Sequence, residues 1–174
     1  MARSASNTNQ ESLLCVDYIN LYDYEAEQFF AYDDKSDFMP VIKKEDKEHL
    51  EVVIFGANSM GRAVARTLAH VVHYPNSQNI NHRSRITIVS ENVEEWAREF
   101  MASHRGLFCL SNWMLTDANG VTELHCPVEE YGDYLDIEWH FVYGTSTSVE
   151  LESLFCENSV KRIVVCEDSD TQSI

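Results

Sequence analysis

No apolar run in the chain approaches the roughly 20 residues that a membrane-crossing helix needs. The first ten residues, MARSASNTNQ, contain nothing like the hydrophobic core of a secretion signal. Both absences lead us to expect a soluble, cytoplasmic chain that does not insert into a membrane. Cysteine is sparse and unpatterned: Cys15, Cys109, Cys126, Cys156 and Cys166 are odd in number and form no C-x-x-C pair. That spacing argues against a disulfide framework and against zinc, so reduced and mostly buried thiols are expected. Basic side chains are few, 13 against 29 acidic ones, for a formal charge of −16. So acidic a surface repels phosphate backbones and anionic lipid, which argues against a nucleic-acid partner.

The charge is unevenly spread. Residues 1–50 carry eleven acidic and five basic side chains and residues 121–174 carry twelve and two, whereas residues 51–120 balance six against six, every basic one an arginine. A phosphate ligand is repelled least by that middle stretch. Equally, its arginines can simply pair with Glu94, Glu95 and Glu99 on a solvated face. With 174 residues, 44% hydrophobic and 11% aromatic, the chain is long enough to bury a sizeable core.

The middle stretch opens with Glu51-Val-Val-Ile-Phe-Gly-Ala-Asn-Ser-Met-Gly-Arg62, an apolar strand that breaks at Gly56 and resumes at Gly61 as a helix. Strand, glycine turn and helix together are the opening of a dinucleotide-binding unit. There the first glycine permits the tight turn, the last lets the helix approach the strand, and first-turn N–H groups face a pyrophosphate. The middle glycine is replaced by Asn58. Either Asn58 adopts a left-handed conformation or the phosphates sit further out; a strand-turn-helix without a ligand is the bland alternative. Met60, Val64, Leu68 and Val71, flanked by Ala63 and Val72, make one apolar face of the following helix. Arg62, Arg66, His70 and His73 fall on another stripe, and Pro75 marks the end.

Leu13–Leu21 reads as a strand, Asp23–Ala31 as a short acidic helix capped by Asp23, and residues 32–49 as a charged linker. After a polar loop over Asn76–Ser84, Arg85–Val89 is the second core strand. The acid that binds ribose is expected just beyond it, at Ser90, which lacks the carboxylate, or at Glu91, which is otherwise a charge at a helix start. Asn92 and Glu95 suggest a capping box, followed by a helix bearing Val93, Trp96, Ala97, Phe100 and Met101 and continuing to Trp113 and Met114. Thr116–Asp133 reads as loop or a small hairpin around Asn119-Gly120. His125 beside Cys126, and His70 with His73, lack the further ligands that a metal requires. Tyr134–Tyr143 is a third strand, Ser148–Glu157 a helix and Arg162–Cys166 a fourth strand. This alternation predicts a Rossmann-like, doubly wound, mostly parallel α/β sheet over residues 50–174, preceded by a strand-helix extension over 1–49.

The order G-A-N-S-M-G, then a strand ending near an acid, then F-V-Y-G-T, then R-I-V-V-C-E-D-S-D, resembles the N-terminal nucleotide-binding (TrkA-N or RCK) domain of potassium-transport regulators. His73-Tyr-Pro-Asn76, Arg85-Ile-Thr and the aromatic run through Trp113 resemble a divergent bacterial branch with an enlarged middle. The resemblance covers roughly residues 50–174. It implies that Gly56, Ser59, Met60 and Gly61 hold phosphates, Ser90 stands at the ribose position, Gly144 and Thr145 line the nucleotide, and Asp168 and Asp170 flank the base. Asn58 and Ser90 depart from the usual Gly and Asp. It further implies NAD or a related adenine nucleotide as cofactor, a homo-oligomer, and a transporter or channel subunit as partner. Domains of this family continue past the fourth strand, so the sheet reads as truncated there, leaving 163–165 near an edge that either the Leu13–Leu21 segment, folded back as an extra strand, or a second copy could cover; the pairing of related domains favours the second copy.

Three functions are compatible with these residues. A non-catalytic regulatory domain would bind the nucleotide without turnover. An NAD(P)-dependent oxidoreductase would need an acid/base pair and a substrate domain, neither of which is evident. A degenerate Rossmann scaffold would bind no cofactor and serve assembly.

Overall fold

A computed structural model of the protein describes residues 20–31, 39–126, 136–156 and 159–166. Its helices are α1 (Leu21–Ala31), α2 (Ser59–Val71), α3 (Val93–Ser103) and α4 (Arg105–Phe108). Its strands are β1 (His49–Phe55), β2 (Ser84–Ser90), β3 (Asn112–Thr116), β4 (Thr122–His125), β5 (Ile137–Tyr143) and β6 (Ser159–Val165), and 3₁₀ turns occupy Ile80–His82 and Leu151–Leu154. The strands form one sheet in the order β4-β3-β5-β2-β1-β6. All neighbours run parallel except the β3–β4 hairpin. The four expected core strands lie side by side as β5-β2-β1-β6, an α/β arrangement compatible with a Rossmann-like fold.

Every residue of β1 is buried, as a central parallel strand covered on both faces requires. Its even-numbered residues, Leu50, Val52 and Ile54, join the main core with Ala63, Val64 and Leu68 of α2 and Trp96, Ala97 and Phe100 of α3. Stacked Trp96 and Phe100 (centroids 4.8 Å apart) and tilted Phe108 and Trp139 (5.0 Å) fill the space between α3, α4 and β5. Burying a side chain of this size stabilises by about 2–3 kcal/mol. The opposite face is thinner: Val53, Phe55 and Val89 are covered by Val149, Leu154 and Phe155 from the crossover between β5 and β6.

Several expectations are corrected. The helix expected over Ser148–Glu157 is a single 3₁₀ turn, because Thr145 and Ser148 close a hydroxyl-bonded turn that competes with a helical start. The helix of the aromatic middle stops at Phe108, and Trp113 and Met114 belong to β3, where Trp113 stacks on His125 across the hairpin (5.3 Å). That hairpin is the one signalled by Asn119-Gly120: Asp117 accepts from the N–H groups of Asn119 and Val121, each at 2.8 Å, and Gly120 has φ +74°. Leu21 begins α1 rather than ending a strand; Leu13–Ile19 lies outside the described residues. The Asn20 side chain, not Asp23, accepts from the first turn of α1 (Tyr22 N–H, 3.1 Å), while Asp23 pairs with Arg66 at 2.7 Å. Asn92 makes no side-chain cap. Val71 is 41% exposed, so Val72 rather than Val71 ends the apolar face of α2. Of the four described cysteines, Cys109 and Cys126 are exposed and only Cys166 is buried, against the expectation of mostly buried thiols.

Candidate functional site

The C-terminal end of β1 carries the glycine turn. Gly56 has φ +104°, a conformation that a side chain disfavours, and its N–H donates to the Val89 carbonyl at 3.1 Å. A Cβ on Gly61 would lie 2.1 Å from the Gly56 carbonyl oxygen. The turn is therefore closed by backbone-to-backbone contact of its two glycines, and α2 starts directly on the strand.

Asn58 takes an extended conformation (φ −110°, ψ −169°), not a left-handed one. It is the N-cap of α2, its Oδ1 accepting from the Gly61 N–H at 2.9 Å. Its Nδ2 donates to the carbonyl of Cys166 at the end of β6, and the Cys166 N–H donates to the Phe55 carbonyl at 2.7 Å. Burial pushes the Cys166 thiol up to about 11. β1 leaves towards α2 on the helical face, whereas β6 is reached across the other face, so the order of strands reverses between them. Ligands of open α/β sheets lodge at such a reversal. Here the Asn58 amide lies across it, and of the first helical turn Ser59 and Met60 retain N–H groups that helix geometry leaves without an intrahelical acceptor.

The other expected residues come to the same end of the sheet, at the tips of β2 and β5. The Ser90 hydroxyl is engaged by the Asn92 side chain, and the Ser90 carbonyl accepts from the Gly144 N–H at 3.3 Å. Glu91 is exposed. Gly144 has φ +152°, and a Cβ there would meet Val149 at 2.5 Å. The Thr145 N–H donates to Ser148 Oγ at 2.7 Å and its hydroxyl oxygen accepts from the Ser148 N–H at 3.1 Å, so this loop is closed on itself. Asp168 and Asp170 lie outside the described residues.

Beside the turn lies a cleft of about 650 Å³ between α1, α2 and α3, a size suited to a small molecule. Of the expected residues, Asn58 and Ser59 line it; Gly56, Met60, Gly61, Ser90, Glu91, Gly144 and Thr145 do not. Its two arginines are engaged: Arg62 with Glu99 (3.2 Å) and over Trp96 (5.7 Å), Arg66 with Asp23. Arg98 likewise pairs with Glu94 at 3.0 Å, so the surface-pairing alternative describes Arg62 and Arg98, whereas Arg66 pairs with Asp23 instead of the glutamates expected. His73 meets Asp136 at 2.6 Å while His70 is exposed, and the two share no metal-binding cluster among the described residues.

A second polar cluster, not anticipated from the sequence, lies on the opposite sheet face near the N-terminal end of β1. Glu51, 1% exposed, stands in cross-strand register with Arg85 of β2, which is in turn opposite Glu138 of β5. Arg85 donates to Glu51 Oε1 at 2.7 Å and to the Cys156 thiol sulfur at 3.0 Å, and approaches Glu138 at 3.5 Å. His49 Nε2 is 3.2 Å from Glu51 Oε1, and the Cys156 N–H donates to Glu51 Oε2 at 2.7 Å. Burial alone would raise the Glu51 carboxyl. The hydrogen bonds from His49 and the Cys156 backbone and the charge of Arg85 outweigh it and hold Glu51 at about 2. His140, on the same face, is pushed down to about 4, first by burial and then by Arg85. The available sequence signal was polar alternation, His49-x-Glu51, at the head of an otherwise apolar run.

No family model matches the chain, and no curated protein or solved structure matches it either. Among the described residues no helix is long and apolar enough to cross a membrane.

Proposed function

We propose that the protein is a non-catalytic regulatory domain that binds NAD or a related adenine nucleotide at the Gly56–Gly61 turn, in the manner of the potassium-transport regulator domains that its sequence resembles. One observation carries this reading. The two glycines meet at the end of β1, where the strand order reverses, in a contact that excludes a side chain on Gly61. A turn this tight serves close approach of a ligand to backbone N–H groups. In such a role the nucleotide shifts the populations of two conformations, and a transporter or channel subunit, or a second copy of the chain, reads the change.

The test is calorimetry and thermal shift with NAD, NADH, NADP, ATP, ADP and AMP on the wild type and on Gly56→Val. At least one nucleotide should bind, and the variant should lose binding tenfold or more, because a β-branched residue resists φ +104°. A folded Gly56→Val that binds normally places the site elsewhere; no binding to either protein refutes the reading. With Ser90 in place of an acid, NAD and NADP should differ by less than about 1.4 kcal/mol. A larger preference for NAD that survives Glu91→Gln contradicts this.

A degenerate assembly scaffold is the second reading, favoured by Asn58, whose amide satisfies Gly61 and Cys166 without any ligand. Hydride transfer to a carbonyl substrate would instead select the oxidoreductase.

A further inference from the structure

We propose that His49, Glu51 and Cys156 form a binding site for a divalent transition-metal cation of the zinc class, independent of the nucleotide turn and on the opposite face of the sheet. One ligand atom from each residue lies within 4.8 Å of the other two, and His49 and Glu51 are buried. An imidazole, a carboxylate and a thiol are a donor set that suits zinc, cobalt or nickel and does not suit magnesium or calcium. Two of the three lie on one strand and the third is hydrogen-bonded to it. His49 and Glu51 project to one face of β1, and Cys156 is tied to Glu51 through its own N–H at 2.7 Å, just ahead of the β6 strand that pairs with β1.

The Arg85 guanidinium bridges two members of this set, 2.7 Å from Glu51 Oε1 and 3.0 Å from the Cys156 sulfur, in the role a metal would take. It has somewhere to go, because Glu138 stands 3.5 Å away on its other side. Counting charges, Glu51, Glu138 and a Cys156 thiolate supply three negative charges against the one positive charge of Arg85. The remaining two match a divalent ion. Coordination replaces the Cys156 S–H bond by an S–metal bond, with the proton released to solvent and no change of oxidation state. Tetrahedral ligands stand roughly 3.5 Å apart, so the trio closes by about 1 Å as Arg85 withdraws. His49 Nδ1 has no partner among the described residues, so no outer acceptor there fixes the imidazole. That makes the site an adjustable, exchangeable one.

The experiment is titration of the purified full chain with Co²⁺, read by the thiolate-to-cobalt charge-transfer band, followed by displacement with Zn²⁺. The wild type should give the band and lose it to Zn²⁺. Cys156→Ser should abolish it, His49→Gln should weaken binding at least tenfold, and Cys109→Ser and Cys126→Ser should leave it unchanged. Arg85→Gln removes the competing cation and should tighten binding several-fold. Circular dichroism establishes that each variant is folded, and Arg85→Gln is informative even where Cys156→Ser is not. A wild type without the band, a band that survives Cys156→Ser, or weaker binding in folded Arg85→Gln overturns the proposal.

Discussion

The Asn58 side chain ties the start of α2 to the end of β6, accepting from the Gly61 N–H and donating to the Cys166 carbonyl. Under the proposed nucleotide-binding function, this is the point at which a pyrophosphate would approach the backbone. Asn58→Gly restores the missing middle glycine. Exchanging an Asn cap for Gly costs a few tenths of a kcal/mol, and the lost bond to Cys166 about 1 kcal/mol more. We expect a slightly less stable protein that binds dinucleotides about tenfold more tightly and exchanges the Gly61 amide, released from Asn58 Oδ1, faster. Weaker nucleotide binding in Asn58→Gly would mean that Asn58 contacts the ligand instead of excluding it.

Gly61 and Gly106 make opposite predictions for the same change. At Gly61 a methyl group would meet the Gly56 carbonyl at 2.1 Å, so α2 must lift from β1; Gly61→Ala should cost about 1–3 kcal/mol in urea unfolding. At Gly106, in α4, a Cβ meets nothing within 4 Å, and Gly106→Ala should stabilise by about 0.5–1 kcal/mol. Equal effects at both positions would refute the close-packed turn.

What the sequence made legible was mainly local. The turn at Gly56–Gly61, the existence of the four core strands and the Asn119-Gly120 hairpin follow from short-range patterns whose physical cause lies within a few residues. Trp113 and Met114 read as helix in the sequence because an apolar stretch following a helix has no periodicity to mark where the strand begins. The role of Asn58 depends on Cys166, and that of Glu51 on Arg85 and Cys156. These partners are distant in the chain and meet only because β6 and β2 flank β1. The sequence alone leaves Asn58 either left-handed or holding phosphates further out, whereas its amide, in an extended conformation, reaches the Cys166 carbonyl beside the neighbouring strand.

The cluster beneath β1 should give stability a two-step dependence on pH. His140, held neutral down to about 4, protonates near 6.5 in the unfolded chain. The unfolded state therefore binds more protons in that window. Stability present above pH 6.5 declines as pH falls to about 4, by up to roughly 3 kcal/mol for 6.5 minus 4 pH units. Glu51, held at about 2 against a usual 4.5, adds a second loss as pH falls from 4.5 towards 2. Urea unfolding across this range should show both losses, and His140→Gln should flatten the first alone. A His140→Gln protein whose stability falls as steeply as the wild type between pH 6.5 and 4 would assign that loss to other groups.

Among the described residues β6 is the end strand of the sheet, and its side chains divide by face. Val164 packs against the main core, whereas Ile163 and Val165 are 46% and 47% exposed on the thinly covered side. An edge that offers unpaired N–H and C=O groups beside exposed branched side chains is a template for pairing with another chain. We expect the protein to self-associate through this edge, as the resemblance to paired regulator domains implies. Val164 is unsuitable as a probe, since a lysine there would disturb the core as well as the edge. Ile163→Lys combined with Val165→Lys adds charge only to the exposed side. Light scattering after size exclusion should report an oligomeric wild type and a monomeric double variant with nearly unchanged urea stability. A monomeric wild type, or an oligomer indifferent to both lysines, would show that this edge is not the contact.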